Sequence, residues 1–146
     1  MTPAELAAAR ADDERSRLVA RTEFERPLLL DAGAGTGKTT VVASRIVAWL
    51  LGPGWDRAAA ALGNGARRDD ADRIARRTAE RVVAITFTDR AAAEMTERIA
   101  RMLACVHRGV DAVGLALADL PGPDDRRRER AAALLAVMRL GTEEAP

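Results

Sequence analysis

Cysteine is nearly missing from this sequence, because Cys105 is the only one among 146 residues. A single thiol excludes an internal disulfide and a metal site built from several cysteines. It is typical of proteins in the reducing cytoplasm, where we expect this chain to act. Residues 1–20 mix apolar with charged side chains and contain no continuous apolar stretch. We therefore expect neither a signal peptide nor a membrane span in this region.

An excess of charge of one sign is also missing. The formal net charge is +1, with 48% hydrophobic and 31% charged residues. This composition indicates one soluble globular domain, because a chain of this length can bury one core but not two. Any basic surface that binds nucleic acid would have to be local.

Lysine is represented by Lys38 alone, whereas arginine occurs 22 times. Such a bias toward arginine suggests that lysine persists only where a compact ammonium group on a flexible stem is needed. Lys38 lies in a glycine-rich stretch. It is therefore the first candidate for a functional side chain.

The order of apolar and glycine-rich segments predicts an α/β fold. Thr2 and Pro3 are typical of a helix start. Residues 28–30 predict a short apolar strand, which a glycine-rich turn and a helix to about Leu51 follow. Residues 81–87 predict a second strand, because they are β-branched and apolar enough to be buried on both faces. This order of elements predicts a three-layer, parallel-sheet P-loop NTPase (RecA-like) domain, incomplete in this chain.

Two of the predicted helices carry an apolar stripe with helical spacing that should face the sheet. On the second of these, about residues 90–103, we expect ion pairs of Glu94 with Arg98 and of Glu97 with Arg101 on the outer surface. The stripes consist of Val42, Ile46, Trp49 and Leu50 in the first helix and of Ala92, Met95, Ile99 and Met102 in the second.

We divide residues 1–146 into four units of one domain. The P-loop unit is 27–51, a surface insertion is 52–80, a strand–helix unit is 81–103, and a helical segment is 104–146. The insertion is expected to be a solvated loop with a short helix and a turn at 63–65. The arginine run 126–128 is expected to be a charged helix face, with a phosphate-binding patch as the alternative.

Residues 32–39 match the Walker A phosphate-binding pattern, with alanine in place of its first glycine. Glycines let backbone N–H groups converge on phosphate oxygens, and the helix that begins near Lys38 points its positive end at the same anion. We expect Lys38 to neutralise the β- and γ-phosphates of ATP and the Thr39 hydroxyl to ligate Mg²⁺, which makes these two the candidate catalytic residues. Thr40 is expected to cap or support the turn. The candidate nucleotide-binding set is Ala32, Gly33, Ala34, Gly35, Thr36, Gly37, Lys38, Thr39 and Thr40.

The alternative for this stretch is a glycine-rich turn that meets the pattern by chance and binds nothing. Two weaker patterns elsewhere are expected to have no function. Residues 114–119 resemble an apolar strand that ends in a metal-binding aspartate, but no acidic partner follows Asp119. Cys105 and His107 have no third ligand nearby in the sequence.

Residues 85–95 read Ile-Thr-Phe-Thr-Asp-Arg-Ala-Ala-Ala-Glu-Met. Together with residues 32–40, they resemble the N-terminal ATP-binding domain of superfamily 1 UvrD/RecB-type DNA helicases, and the nuclease-linked AddA-like branch in particular. The resemblance covers about residues 12–103. It implies that residues 85–95 are motif Ia, which contacts single-stranded DNA in this family, and that residues 32–40 bind ATP.

The resemblance makes Phe87, Thr88 and Arg90 the candidate DNA-binding residues. Phe87 could offer its ring to a base, and Thr88 with the following N–H groups could hold a DNA phosphate. Arg90 could add a salt-sensitive phosphate contact. The alternative is that Phe87 belongs to the core, Thr88 is a simple helix cap and Arg90 is a solvated charge.

The sequence departs from the family pattern in three places. Asp89-Arg90 stands where the family typically has Asn-Lys, so Asp89 is not counted as a DNA ligand. The chain contains no glutamine, although the family reads adenine with one; Glu14 or Arg15 falls near that place, so specificity for ATP is implied by the resemblance alone. The acidic magnesium motif of the family has no counterpart here. Because phosphoryl transfer needs metal, water and charge stabilisation together, we expect the 146 residues alone neither to unwind DNA nor to turn over ATP appreciably.

We interpret the chain as the N-terminal, ATP-binding fragment of an ATP-dependent DNA helicase. The resemblance implies that the complete protein moves along single-stranded DNA and unwinds duplexes in repair or recombination. It also makes a helicase or nuclease subunit a candidate partner. Two alternatives stay open. One is a small P-loop kinase or other NTPase, and the other is a non-catalytic nucleotide- or DNA-binding module or a truncated relic.

Overall fold

The computed structural model describes residues 1–35, 37–63 and 70–143. Thr36 and the predicted turn and charges at 64–69 lie outside the described residues. Regular structure in the described ranges consists of α-helices and 3₁₀ turns, one of which is the 3₁₀ helix at Leu117–Asp119. The α-helices are α1 (Pro3–Thr22), α2 (Lys38–Leu51), α3 (Pro53–Ala61), α4 (Ala71–Ala79), α5 (Asp89–Arg108) and α6 (Asp124–Glu143).

The prediction of an α/β parallel-sheet domain is wrong, because the residues that the structure describes form no strand and no sheet. The two predicted strands, 28–30 and 81–87, are irregular segments outside any ladder. Val83 and Ile85 are 81% and 92% exposed, so the second segment is not buried on both faces. A β-branched sequence favours extended backbone locally, but a strand also needs a neighbour for its N–H and C=O groups. The only bridge in the described ranges joins Ala112 to Leu115 across a tight turn.

Helix α1 begins as the sequence predicts. The Glu5 amide donates to Thr2 Oγ1 at 3.2 Å, and the Thr2 amide donates to a Glu5 carboxylate oxygen at 2.6 Å, which forms a capping box. Pro3 follows at the first helical position, where its missing N–H costs nothing. The bond from the Thr2 backbone lowers the pKa of Glu5. The contribution of this carboxylate to helix stability is therefore full above its ordinary pKa and is lost as the pH falls through the lowered one.

Helix α2 lies at the centre of the fold and packs against α1, α3 and α5, while α6 packs against α4 and α5. Helices α2 to α6 each give one face to a common apolar core, as amphipathic helices do, whereas the only buried residue of α1 is Ala20. Large apolar side chains buried there include Val47, Leu51, Trp55, Ile74, Leu103, Val106, Leu115 and Leu134.

The two predicted apolar stripes meet different outcomes. In α2, Leu50 is buried and Ile46 and Trp49 are half-buried, but Val42 is 36% exposed. The face of α2 with the most buried residues carries Ala43 and Val47 instead. In α5, Ile99 and Met102 are buried, Met95 is half-buried and Ala92 is exposed. The helical period was therefore predicted correctly, but the buried face of α2 is rotated, because it packs on helices rather than on a sheet.

Within the predicted insertion 52–80, the described residues Pro53–Ala61 form α3 and Ala71–Ala79 form α4. Trp55 of α3 and Ile74 of α4 are buried in the core, as is the hydroxyl-bearing Thr78. Thr78 satisfies its hydroxyl by donating to the Ile74 carbonyl at 2.7 Å. This region contributes to the core and is not only a solvated surface.

Two arginines of α6 form hydrogen bonds to other parts of the fold. Arg127 donates to the carbonyls of Leu117 and Leu120 at 2.6 and 2.9 Å, and its side chain is 13% exposed. Arg130 donates to the Leu51 carbonyl at 2.6 Å and pairs with Asp56 at 2.7 Å. The prediction of a charged helix face at 126–128 is therefore wrong for Arg127, which holds the loop before its own helix.

None of the helices in the described ranges has both the length and the apolar character that a membrane-spanning helix requires.

We expect Arg127→Met to lower the free energy of unfolding by about 2–3 kcal/mol, because it leaves two carbonyls without their charged donor. Arg126→Met is the matched control, since the neighbouring Arg126 is exposed, and we expect a change within about 0.5 kcal/mol. Urea denaturation followed by circular dichroism measures both. Equal losses in the two variants would contradict the role assigned to Arg127.

Candidate nucleotide-binding site

The glycine-rich turn has the backbone geometry that its sequence predicts. Gly35 and Gly37 have φ angles of 76° and 84°, in the left-handed region that favours glycine. In the described ranges, every residue with positive φ is a glycine. Thr36, between these two glycines, lies outside the described residues. The turn therefore depends on glycine on both sides of that position.

Helix α2 begins directly after this turn. Gly37 is its N-cap and has no side chain that could accept from the first amides. Inside the helix, the first backbone bond joins the Val41 amide to the Gly37 carbonyl at 3.0 Å. The amides of the first turn have no partner within an α-helix, and they lie at its positive end. The start of α2 therefore presents backbone N–H groups to an anion.

The residues of the predicted nucleotide-binding set differ in how exposed they are at this helix start. Lys38 and Thr39 are exposed, and Thr40 is half-buried. Gly33, Ala34 and Gly35 are exposed in the turn, whereas Ala32 is half-buried. The structure thus brings Lys38 and Thr39 to the surface beside the open amides, where an ammonium and a hydroxyl can reach a phosphate and its metal ion.

Helix α1 adds a cation that the sequence did not predict. Arg17 lies beside the turn, since its Nη1 is 3.6 Å from the position a Cβ would occupy on Gly37. Its Nε donates to Asp13 at 2.8 Å, one helical turn earlier. Spacing within α1 predicts the pair of Arg17 with Asp13, but only the packing of α1 on α2 brings Arg17 to the glycine turn.

A second unpredicted contact lies behind the helix start. Arg98 of α5 donates from Nη1 to Thr40 Oγ1 at 2.7 Å. The predicted surface pair of Glu94 with Arg98 is wrong, because Glu94 pairs with Arg90 at 3.0 Å. The predicted pair of Arg101 with Glu97 is confirmed at 2.7 Å. Arg98 follows Met95 by three residues, and this helical spacing could have predicted it on the inner face of α5. Its charge led instead to the prediction that it lies on the outer surface.

The candidate DNA-binding residues lie at the start of α5. Phe87 is fully exposed, so the alternative that it belongs to the core is wrong. Thr88 is the N-cap of α5 and accepts from the Ala91 amide at 3.1 Å, as the simpler alternative holds. Arg90 is 89% exposed and pairs with Glu94. These residues therefore form a second surface, and Arg90 precedes Arg98 by roughly 12 Å along α5 at the rise of a regular helix.

The two weaker sequence patterns, residues 114–119 and the pair of Cys105 with His107, do not form metal sites in the described part of the chain. Asp119 pairs with Arg21 of α1 at 2.7 Å, and this pair joins the 3₁₀ helix to the N-terminal helix. Cys105 and His107 belong to no group of three potential metal ligands in the part of the chain that the structure describes. Among the described residues, the glycine turn also lacks a group of three acidic, histidine or cysteine side chains that could hold a metal ion.

The described part of the turn thus combines two left-handed glycines, a helix N-terminus without a side-chain cap, and a lysine and a hydroxyl in the first helical turn. The model of the UvrD/REP helicase N-terminal domain family matches residues 12–115. The chain therefore belongs to this family, and the predicted resemblance to UvrD-type helicases is confirmed.

A curated relative is similar over part of the chain. The ATP-dependent DNA helicase UvrD1 of Mycobacterium leprae (strain TN) is 44% identical over 77 residues, which cover 53% of this chain and 7% of the relative. The matched stretch is thus a small part of that relative's length. No solved structure matches this chain.

We expect Gly37→Ala to lower the free energy of unfolding by about 1–2 kcal/mol, the cost of a Cβ in left-handed backbone. The cost comes from the backbone, because the added Cβ would meet Arg17 at an ordinary contact distance of 3.6 Å. Gly37→Asn should lose less, since asparagine tolerates this region better. Urea denaturation measures both variants. Alanine as stable as glycine would show that α2 does not need this N-cap geometry.

Proposed function

We propose that this chain binds MgATP at residues 32–40 as the nucleotide-binding part of an ATP-dependent DNA helicase. The observation that carries the proposal is the exposed start of α2, where Lys38 and Thr39 follow a turn with two left-handed glycines. Membership of the UvrD/REP helicase family supports it, because the family's name is that of a helicase.

The residues suit a polyphosphate with a divalent ion. Amides of the first turn of α2 would hold phosphate oxygens without losing bonds inside the helix. Lys38 would neutralise the β- and γ-phosphates, and the Thr39 hydroxyl would ligate Mg²⁺. When bound, Mg²⁺ would neutralise charge that develops on the transferred phosphoryl group. The positive charge of Arg17 beside Gly37 would add attraction for the same anion.

The second part of the proposal is that residues 87–90 contact single-stranded DNA. A fully exposed phenylalanine next to a helix N-terminus gives a base a stacking face and gives a phosphate open amides. The bond from the Ala91 amide to Thr88 fixes the start of α5 and does not block the Phe87 ring. In the complete protein, we propose that ATP hydrolysis drives movement along single-stranded DNA and unwinding during repair or recombination.

A small P-loop kinase is less well supported. It needs an acidic group at the metal ion, and Asp119, the residue considered for it, is already paired with Arg21 at 2.7 Å. A non-catalytic module would bind nucleotide or DNA as a helicase does, so the two proposals differ only in whether the complete protein hydrolyses ATP. Single-strand-stimulated hydrolysis in the complete protein would favour the helicase, and binding without hydrolysis there would favour the module.

We expect Lys38→Ala to weaken binding of a fluorescent ATP analogue with Mg²⁺ by about 10- to 100-fold, the loss of one charge-assisted contact. Lys38→Arg should also bind weakly, because a planar guanidinium does not replace a compact ammonium there. Fluorescence titration measures the affinity. Arg10→Ala, which removes an exposed cation from α1, is the control and should bind normally. Unchanged binding in Lys38→Ala would overturn the proposed site.

We expect Phe87→Ala to weaken binding of a fluorescent oligothymidylate by about tenfold, because one base loses its stacking partner. The matched control is Val83→Ala, which removes an exposed apolar side chain from the same segment. Arg90→Gln should lower the slope of log affinity against log salt by about 0.7, as expected for one phosphate contact on a single strand. Fluorescence anisotropy across a salt series measures all three. Equal losses in Phe87→Ala and Val83→Ala would contradict stacking.

A further inference from the structure

The contact between Arg98 and Thr40 joins two parts of the chain that are 58 residues apart in sequence. Arg98 lies in α5, and Thr40 lies in the first turn of α2, directly after Thr39. The bond is 2.7 Å long and partly buried. It reaches the helix start from the side opposite the exposed Lys38, since Thr40 is the half-buried member of this turn.

The environment of Arg98 makes this bond costly to lose. Its Nε is buried without a hydrogen-bond partner. Part of the guanidinium is therefore already desolvated where it packs against α2. A buried donor without its partner is unfavourable, and this holds most for charged groups. The Thr40 hydroxyl is neutral, so the positive charge of Arg98 is not cancelled by this contact and adds to the positive end of α2.

The turn at Ala112–Leu115 holds Thr40 from a second direction. Gly114 has a φ of 81°, and a Cβ built on it would lie 2.2 Å from Thr40 Cγ2. The methyl group of Thr40 therefore packs directly beneath a glycine that cannot be exchanged without a shift. The two substituents of one side chain are fixed by two elements, the hydroxyl by α5 and the methyl by the turn.

We propose that Arg98 is a positioning residue for the phosphate-binding turn, acting through the Thr40 hydroxyl. This inference rests on the proposed function of residues 32–40. Lys38 and Thr39 precede Thr40 on the same helical turn, so a constraint on Thr40 sets the direction of their side chains and of the first amides of α2. Without it, the turn would keep its residues but lose part of their preorganisation, which weakens ligand binding.

The test is a double-mutant cycle read in nucleotide affinity. Thr40→Val keeps the shape of the side chain and removes its hydroxyl, Thr40→Ser keeps the hydroxyl, and Arg98→Met removes the donor. The control is Arg101→Met on the same helix, where the exposed arginine pairs with Glu97. Affinity for the fluorescent ATP analogue with Mg²⁺ is titrated for each variant, and urea denaturation shows that each is folded at the assay temperature.

We expect Thr40→Val and Arg98→Met each to weaken nucleotide binding by about 5- to 10-fold, the value of one partly buried hydrogen bond. The double variant should bind no more weakly than Arg98→Met, because both changes remove the same contact. Thr40→Ser should stay within about twofold of the wild type, and Arg101→Met should be unchanged. A merely structural role would change stability in urea and leave the affinity of folded protein as it was.

Multiplicative losses in the double variant, full affinity in both single variants, or Thr40→Ser as weak as Thr40→Val would each overturn the inference. Where Arg98→Met does not fold, the comparison of Thr40→Val with Thr40→Ser decides in the same way. Failure of the wild type to bind, or binding that survives Lys38→Ala, overturns the proposed function together with this inference. Binding that depends on Lys38 but not on Arg98 overturns this inference alone.

Discussion

The packing of α2 between α1 and α5 is the constraint on which the candidate site depends. Ala43 and Val47 of α2 are fully buried, and the side chain of Ser44 is buried with its hydroxyl bonded to the Val41 carbonyl. The middle of α2 is thus fixed, while its first turn projects from the core with its amides open. Burial along one length of a helix and exposure at its end give a rigid support for a polar site.

The site also depends on how the chain enters α2. Arg45 donates to the carbonyls of Ala20 and Glu23 at 2.7 and 2.6 Å, at the C-terminal end of α1. Its guanidinium lies 4.8 Å from the centre of the Phe24 ring. One side chain of α2 therefore satisfies carbonyls that a helix end leaves without partners and also packs on the following aromatic residue. This contact places α1, and with it Arg17, beside the glycine turn.

The same use of arginine recurs across the fold. Arg127 and Arg130 donate to main-chain carbonyls, and Arg98 donates to a hydroxyl. A planar group with five donors can satisfy several acceptors that lie in different elements. Sequence patterns treat a charged residue as part of the exposed face, so Arg98 was predicted on the outside and Arg127 on a charged helix face. Each was misplaced because its stem is long enough to remain in the interior while its head reaches a polar partner.

Local chemistry made some features predictable from the sequence alone. The capping box at Thr2, the glycine turn before Lys38 and the cap at Thr88 depend on residues within a few positions of each other, so the order of residues determined them. The family also follows from the order of two short motifs. The absence of a sheet, the rotated buried face of α2 and the bond from Arg98 to Thr40 could not be read in this way. They depend on which distant elements compete for the same apolar and polar groups, and only the tertiary structure decides that competition.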